Sequence, residues 1–127
     1  MFNKGTVFYS IDNSGILKVK CIQIYSKKNW GNLGDLILAV VQKSFFNKRL
    51  KKSKFIEPGS LVKVYVVQLK KKYKRFDGFC VYFDNNGIVN LNKQMLPSGS
   101  RLLGPVALEM HFDFVSKKFL TIAPAVI

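Results

Sequence analysis

Apolar and polar positions alternate along most of this chain in short bursts, with turn residues between the bursts. Residues 18–25 show the pattern best: Val19 and Cys21 fall on one face against Lys18 and Lys20, and Ile22 and Ile24 then bracket Gln23. A two-residue period predicts a strand, and the change of phase at Cys21 and Ile22 predicts a bulge within it. Further strands are predicted over residues 6–11, 61–69, 78–84 and 88–92. "DNSG" at 12–15 predicts a tight reversal, because Asp and Asn side chains bond their own backbone and Gly accepts a positive φ. "LILAVVQKSFF", opened by Gly34-Asp35, is nearly continuous in apolar residues and predicts a strand buried on both faces. Glu57-Pro58-Gly59 marks a turn before residues 61–69. "DNNG" at 84–87 predicts a hairpin joining 78–84 to 88–92. The pieces make an antiparallel meander, which at this strand length favours a small barrel.

After Pro97 the period lengthens. Val106, Leu108, Phe112, Val115, Phe119, Leu120 and Ile122 recur at closer to helical spacing. Gly104-Pro105 is a helix-start signal and Ala123-Pro124 a stop, so two short helices or helical turns are expected against the barrel. With 127 residues and 48% hydrophobic content, the chain is expected to fold as one domain over residues 1–127. Residues 1–103 would form the barrel, with a projecting hairpin around 66–83, and residues 104–127 a short helical region.

Charge changes the picture most. The net charge is +14, from 21 Lys and Arg against 7 Asp and Glu, an imbalance that repels itself in a compact fold unless a polyanion neutralises it. Nucleic acid is the first candidate partner. A membrane surface would want the cations along an amphipathic helix, whereas they fall on strand ends and loops, and no apolar run is long enough to span a bilayer. Lys, Asn and Phe, all encoded by A/T-rich codons, are abundant, as expected of an organellar genome. Residues 1–10 enter strand-like sequence with neither an apolar signal core nor an Arg-rich presequence, as for a chain made inside the organelle.

Candidate reaction chemistry is thin. His111 is the one histidine, and a zinc site would need Cys21, Cys80 and a carboxylate to converge on it; a helix-surface histidine is the simpler reading. Cys21 and Cys80 have no CxxC spacing and are expected as buried, reduced thiols. Asp12, Asp35, Asp77 and Asp84 all sit in turn contexts, where a carboxylate satisfies backbone N–H groups. A metal-dependent nuclease using Asp77 and Asp84 is the enzyme alternative. No P-loop, dinucleotide fingerprint or nucleophile elbow occurs, so neither an enzyme nor a cofactor is expected.

The cations form two main groups: Lys48, Arg49, Lys51, Lys52 and Lys54 in one loop, and Lys70, Lys71, Lys72, Lys74 and Arg75 at a hairpin tip. Successive strand residues face opposite ways, so three lysines in a row would put ammonium groups on both faces; that stretch must leave the barrel as a ribbon. Edge protection by lysine is the plain alternative. So dense a cluster, without compensating acids, favours phosphate binding. Tyr73 and Phe76 interleave with the charges and suit either stacking on bases or packing at the ribbon root. Trp30, beyond Lys27-Lys28, suits either RNA stacking or closing the end of a barrel. A free single-strand-binding barrel is the non-enzymatic alternative, and it would need exposed aromatics on a barrel face.

"DNSG" before "KVKCI", "GDLI" at 34–37, "PGSLVKVYVV" at 58–67, "RFDG" at 75–78, "YFDNNGIVNLN" at 82–92, "GSRLLGPV" at 99–106 and "KKFLTIAPAVI" at 117–127 follow one another in an order that resembles the universal family of ribosomal large-subunit protein fourteen. The resemblance spans nearly the whole chain. It implies a mainly β fold, a five-stranded barrel with a projecting ribbon and short C-terminal helices, bound to large-subunit rRNA near the intersubunit face. It also implies neighbouring ribosomal proteins as partners, small-subunit rRNA across an intersubunit bridge, and docking of a ribosome-silencing factor. Carried onto this chain, both cation groups would meet rRNA, Arg101 would lie toward the subunit interface, and Leu108, Phe112 and Phe119 would supply protein contacts. The chain departs from the family at Ile16-Leu17, Ala107-Leu108 and Ala125. With the A/T-rich signature, those departures imply a mitochondrial ribosome ahead of a plastid or bacterial one.

Overall fold

The computed structural model describes residues 1–26, 28–45, 56–109, 118–119 and 121–127, and nine strands lie among them. They are β1 (Phe2–Asn3), β2 (Val7–Ser10), β3 (Ile16–Ile24), β4 (Trp30–Gly31), β5 (Leu36–Ser44), β6 (Leu61–Gln68), β7 (Tyr73–Lys74), β8 (Cys80–Val81) and β9 (Gly87–Asn90). Five of them close into a barrel in the order β2-β3-β5-β6-β9. Neighbours are antiparallel except at the seam, where β2 runs parallel to β9 through Tyr9↔Gly87 and Ser10↔Ile88. Closure removes the free edges that a five-stranded open sheet would expose. The predicted mainly β barrel is therefore the fold.

Alternation does the sorting. The row Phe8–Val19–Val41 crosses β2, β3 and β5 and points inward, each residue at most 1% exposed. Ile37, Ala39, Val64, Val66 and Ile88 complete the barrel interior. The expected bulge in β3 is there, as a register shift between Cys21 and Gln23. Burial on both faces, expected of β5, belongs instead to the end of β6 and to β9. In β5, Ile37, Ala39 and Val41 are buried while Leu36, Leu38 and Val40 are half-exposed. In β6, Val64 and Val66 fill the barrel, and Tyr65 and Val67 pack outward with Val89, Leu102, Val106 and Phe119. The tail covers that wall and reaches Leu36 at the start of β5.

Among its described residues the tail holds less helix than the spacing predicts, and residues 110–117 and 120 of the expected helical stretch lie outside them. Val106 forms a parallel bridge with Val126, donating to Ala125 O at 3.1 Å and accepting from Ile127 N at 2.9 Å. Leu102 bridges to Asp12, and Leu103 N–H reaches Ile11 O at 2.6 Å. The helix start expected at Gly104-Pro105 is therefore an extended crossing followed by a 3₁₀ turn at Leu108 and Glu109. Helical conformation elsewhere among the described tail residues is confined to 118–119 and 121–122, ending before Pro124. At Leu102, Leu103 and Val106, backbone pairing with the barrel and with the chain's own end holds the chain extended.

"DNNG" is likewise not a hairpin turn. Strand β8 pairs with β7, and β9 returns to β6, with Gln68 opposite Gly87. Phe83 N–H donates to Leu69 O at 3.0 Å and Lys70 N–H to Asn86 Oδ1 at 2.9 Å, closing the ladder below the ribbon. Strands β6 and β9 are thus the legs of one long hairpin, with residues 84–87 bending its returning leg. Gly87 is required there for space. A Cβ on it would lie 2.7 Å from Gln68 Oε1 and 3.1 Å from Gln68 Cβ, and Gln68 is held by its Nε2 donating to Pro105 O at 2.7 Å. Gly87→Ala is expected to destabilise the fold by about 1–3 kcal/mol through overpacking, measured as a lower midpoint in urea with an unchanged slope. A midpoint equal to wild type would show that the closure can relax at this point.

Candidate nucleic-acid interface

Above Leu69 and Phe83 the hairpin leaves the barrel as a narrow ribbon. Its rungs are Tyr73↔Val81 and Lys74↔Cys80, and its tip turns through residues 75–78, closed by Arg75 N–H to Phe79 O at 2.9 Å and Gly78 N–H to Arg75 O at 3.2 Å. Gly78 takes φ +88°, and Asp77 caps the turn by accepting from Phe79 N–H at 3.0 Å. Lys70, Lys71, Lys72 and Lys74 are all exposed, and none is ion-paired with a described residue. Lys72 Nζ sits 5.5 Å above the Tyr82 ring, a cation–π contact that steadies the ammonium group while leaving it in water. Phe76, at the tip, is fully exposed, with Phe79 and Tyr82 mostly so. Tyr73, by contrast, packs against the core at the ribbon root.

Arg75 differs from the lysines around it. Its Nε and Nη2 donate to the two carboxylate oxygens of Glu109, the second at 3.2 Å, and Nη2 also donates to Ile127 O. A planar guanidinium suits this paired geometry, where an ammonium would make a point contact only. Its hydrogen bond to Glu109 raises the Arg75 pKa above the ordinary value. Arg75, expected among the phosphate-binding cations, ties the ribbon tip to the tail of its own chain. Only its being an arginine in a lysine run signals this in the sequence. Glu109 lies 34 residues away and gives no local cue.

The remaining expected residues are scattered. Lys48, Arg49, Lys51, Lys52, Lys54, Phe112 and His111 lie outside the described residues. Arg101 is exposed beside Ser100, whose N–H and Oγ bond Asn13 Oδ1 and Nδ2, each at 2.9 Å. Leu108 is half-exposed. Phe119, assigned to protein contacts, is instead wholly buried, its ring edge-on to Tyr65 at 5.6 Å, so its apolar surface is spent inside the chain. Trp30 is half-buried in β4, opposite Asn3, with Lys28 Nζ 4.5 Å over its ring.

The polar groups considered for chemistry have other duties. Asp12 and Asp35 bond backbone N–H groups, Asp35 accepting from Asn32 at 2.6 Å. Asp77 and Asp84 stand at opposite ends of the ribbon. Cys21 lies inside the barrel, where burial pushes its thiol pKa up, and Cys80, expected buried, is exposed on β8. Among the described residues no three of His, Cys, Asp and Glu come together as metal ligands.

A closed barrel that lifts bare lysines away from its core on a two-stranded ribbon is the build of a protein that engages a polyanion. The chain belongs to the ribosomal protein L14p/L23e family, whose model matches residues 1–127. It is similar to the large ribosomal subunit protein uL14m of Acanthamoeba castellanii, with 37% identity over 125 residues covering 97% of each chain. Membership makes it a structural ribosomal protein and not an enzyme.

Proposed function

We propose that this chain is a structural constituent of the mitochondrial large ribosomal subunit and that its ribbon lysines hold rRNA. The observation that carries the reading is the set of four exposed lysines, Lys70, Lys71, Lys72 and Lys74, raised on the ribbon without an acidic partner among the described residues. Family membership and the mitochondrial relative support the assembly. Phosphate neutralisation by lysine releases condensed counterions, so affinity falls steeply with salt. We assign the same role to the cations at 48–54. Exposed Arg101 serves the side facing the small subunit, contacting its rRNA in a bridge, and the same edge offers a docking point to a silencing factor. Leu108 serves a neighbouring ribosomal protein.

Sedimentation tests the reading. A tagged copy of this chain, expressed in mitochondria, is expected to travel with the large subunit through a sucrose gradient after a high-salt wash. Recovery near the top of the gradient, with free RNA-binding activity, would instead mark a free single-strand-binding barrel.

A further inference from the structure

Outside the ribbon, the barrel wall carries a second arrangement of cations that the ribbon reading does not use. Tyr9 on β2 stands directly opposite Lys18 on β3, and Lys18 stands directly opposite Lys43 on β5. Residues paired in this way share a face, and since the adjacent row Phe8–Val19–Val41 points into the barrel, the row Tyr9–Lys18–Lys43 points out. Three strands about 4.8 Å apart make it about 10 Å wide. Lys20, opposite Val7, continues the same face two residues along β3. Two register shifts shape the row. One opposes Leu17 and Lys18 to the end of β5, leaving Leu17 exposed; the other turns both Gln42 and Lys43 outward.

Two lysines directly opposite one another repel, and a sheet built for stability alone would place an acid or a neutral residue at one of the positions. Here none of Lys18, Lys20 and Lys43 is ion-paired with a described residue, and a 49%-exposed tyrosine ring lies at the end of the row. Cations beside an open aromatic ring on a barrel wall are what an unpaired nucleic-acid strand requires: phosphates for the ammonium groups and a base or ribose for the ring. We infer that the outer wall of β2, β3 and β5 is a second RNA-contact surface, on which Lys18 and Lys43 engage the backbone of a single-stranded rRNA segment and Tyr9 stacks on one of its bases. The inference rests on the ribosomal reading above, and it makes the barrel wall, and not only the ribbon, a surface embedded in RNA.

The test uses the whole chain with two probes, a 20-nucleotide oligouridylate and a 20-base-pair RNA duplex. The Lys18→Gln, Lys43→Gln double variant is expected to flatten the log–log salt dependence of oligouridylate binding by about 1.4, two contacts at about 0.7 each. Its melting temperature should equal or exceed that of wild type, because the like-charge opposition is gone. Tyr9→Ala is expected to weaken oligouridylate binding by about 5- to 150-fold, with the slope and duplex binding unchanged, and Tyr9→Phe to restore it. An unchanged slope in the lysine variant, or equal losses on both probes for Tyr9→Ala, overturns the inference. So does normal RNA binding combined with poor entry into subunits, which would put a protein neighbour on the wall. The ribbon variant Lys70→Gln, Lys71→Gln, Lys72→Gln, Lys74→Gln runs alongside: if it too leaves the slope unchanged, the rRNA reading of the ribbon fails, and if it alone flattens the slope, only the wall is excluded.

Discussion

Asp12→Ala is expected to lower stability by about 3–4 kcal/mol, a large part of what a domain of this size has. Asp12 is 6% exposed and joins three parts of the molecule. Its Oδ1 accepts from Ser10 Oγ at 2.5 Å, Ser14 Oγ at 2.7 Å and Ser14 N–H at 3.3 Å, and its Oδ2 accepts from the N–H of Asn90 in β9 at 2.9 Å. Its backbone meanwhile bridges to Leu102 in the tail. Alanine would strip the charged acceptor from the seam where β2 runs parallel to β9 and leave a buried Asn90 N–H without a partner, which costs about 1–3 kcal/mol by itself. Asp12→Asn keeps the shape and one acceptor oxygen, so it should fall between the two. Urea unfolding followed by tryptophan fluorescence gives the comparison. If the alanine variant unfolds within about 1 kcal/mol of wild type, smaller than one charged hydrogen bond, the network is dispensable.

The second large effect concerns RNA. Changing Lys70, Lys71, Lys72 and Lys74 to Gln is expected to flatten the log–log salt dependence of binding to large-subunit rRNA by about 2.8, at about 0.7 per contact. Between 50 and 200 mM salt that is about a fifty-fold smaller loss of affinity. Far-ultraviolet circular dichroism and melting should be unaltered, since all four side chains are exposed. Arg75→Gln separates anchoring from binding. Arg75 is already engaged by Glu109 and Ile127, so its loss should leave the slope within about 0.3 of wild type, less than one phosphate contact. Hydrogen exchange at the ribbon amides should quicken, because the tip is no longer tied to the tail. A slope change of a full contact from Arg75→Gln, with none from the lysine variant, would reverse the two roles.

The projecting run of lysines was readable in the sequence because it needs no partner within the chain: charge density and the two-residue alternation are local facts. The same locality made the strands, the bulge at Cys21 and the reversal at "DNSG" readable, the last with Gly15 at φ +96°. The surroundings of Arg75, Phe119 and "DNNG" were not legible locally, for one shared reason. Each is defined by a partner far along the chain: Glu109 for Arg75, Tyr65 for Phe119, and Gln68 for Gly87. In the tail, Val106 and Val126 pair as extended chain, with Val106 packed on the apolar outer wall of β6 and β9.

By itself, then, the sequence determined the strand content, the barrel class, the positive excess and the stretch where that excess must stand clear of the core, since alternation and charge act within a few residues. Only the tertiary structure decided the parallel seam, which wall the tail covers, which cation is tied down, and that Tyr9, Lys18 and Lys43 form one outward row. Register across strands fixes those, and register depends on closing the barrel.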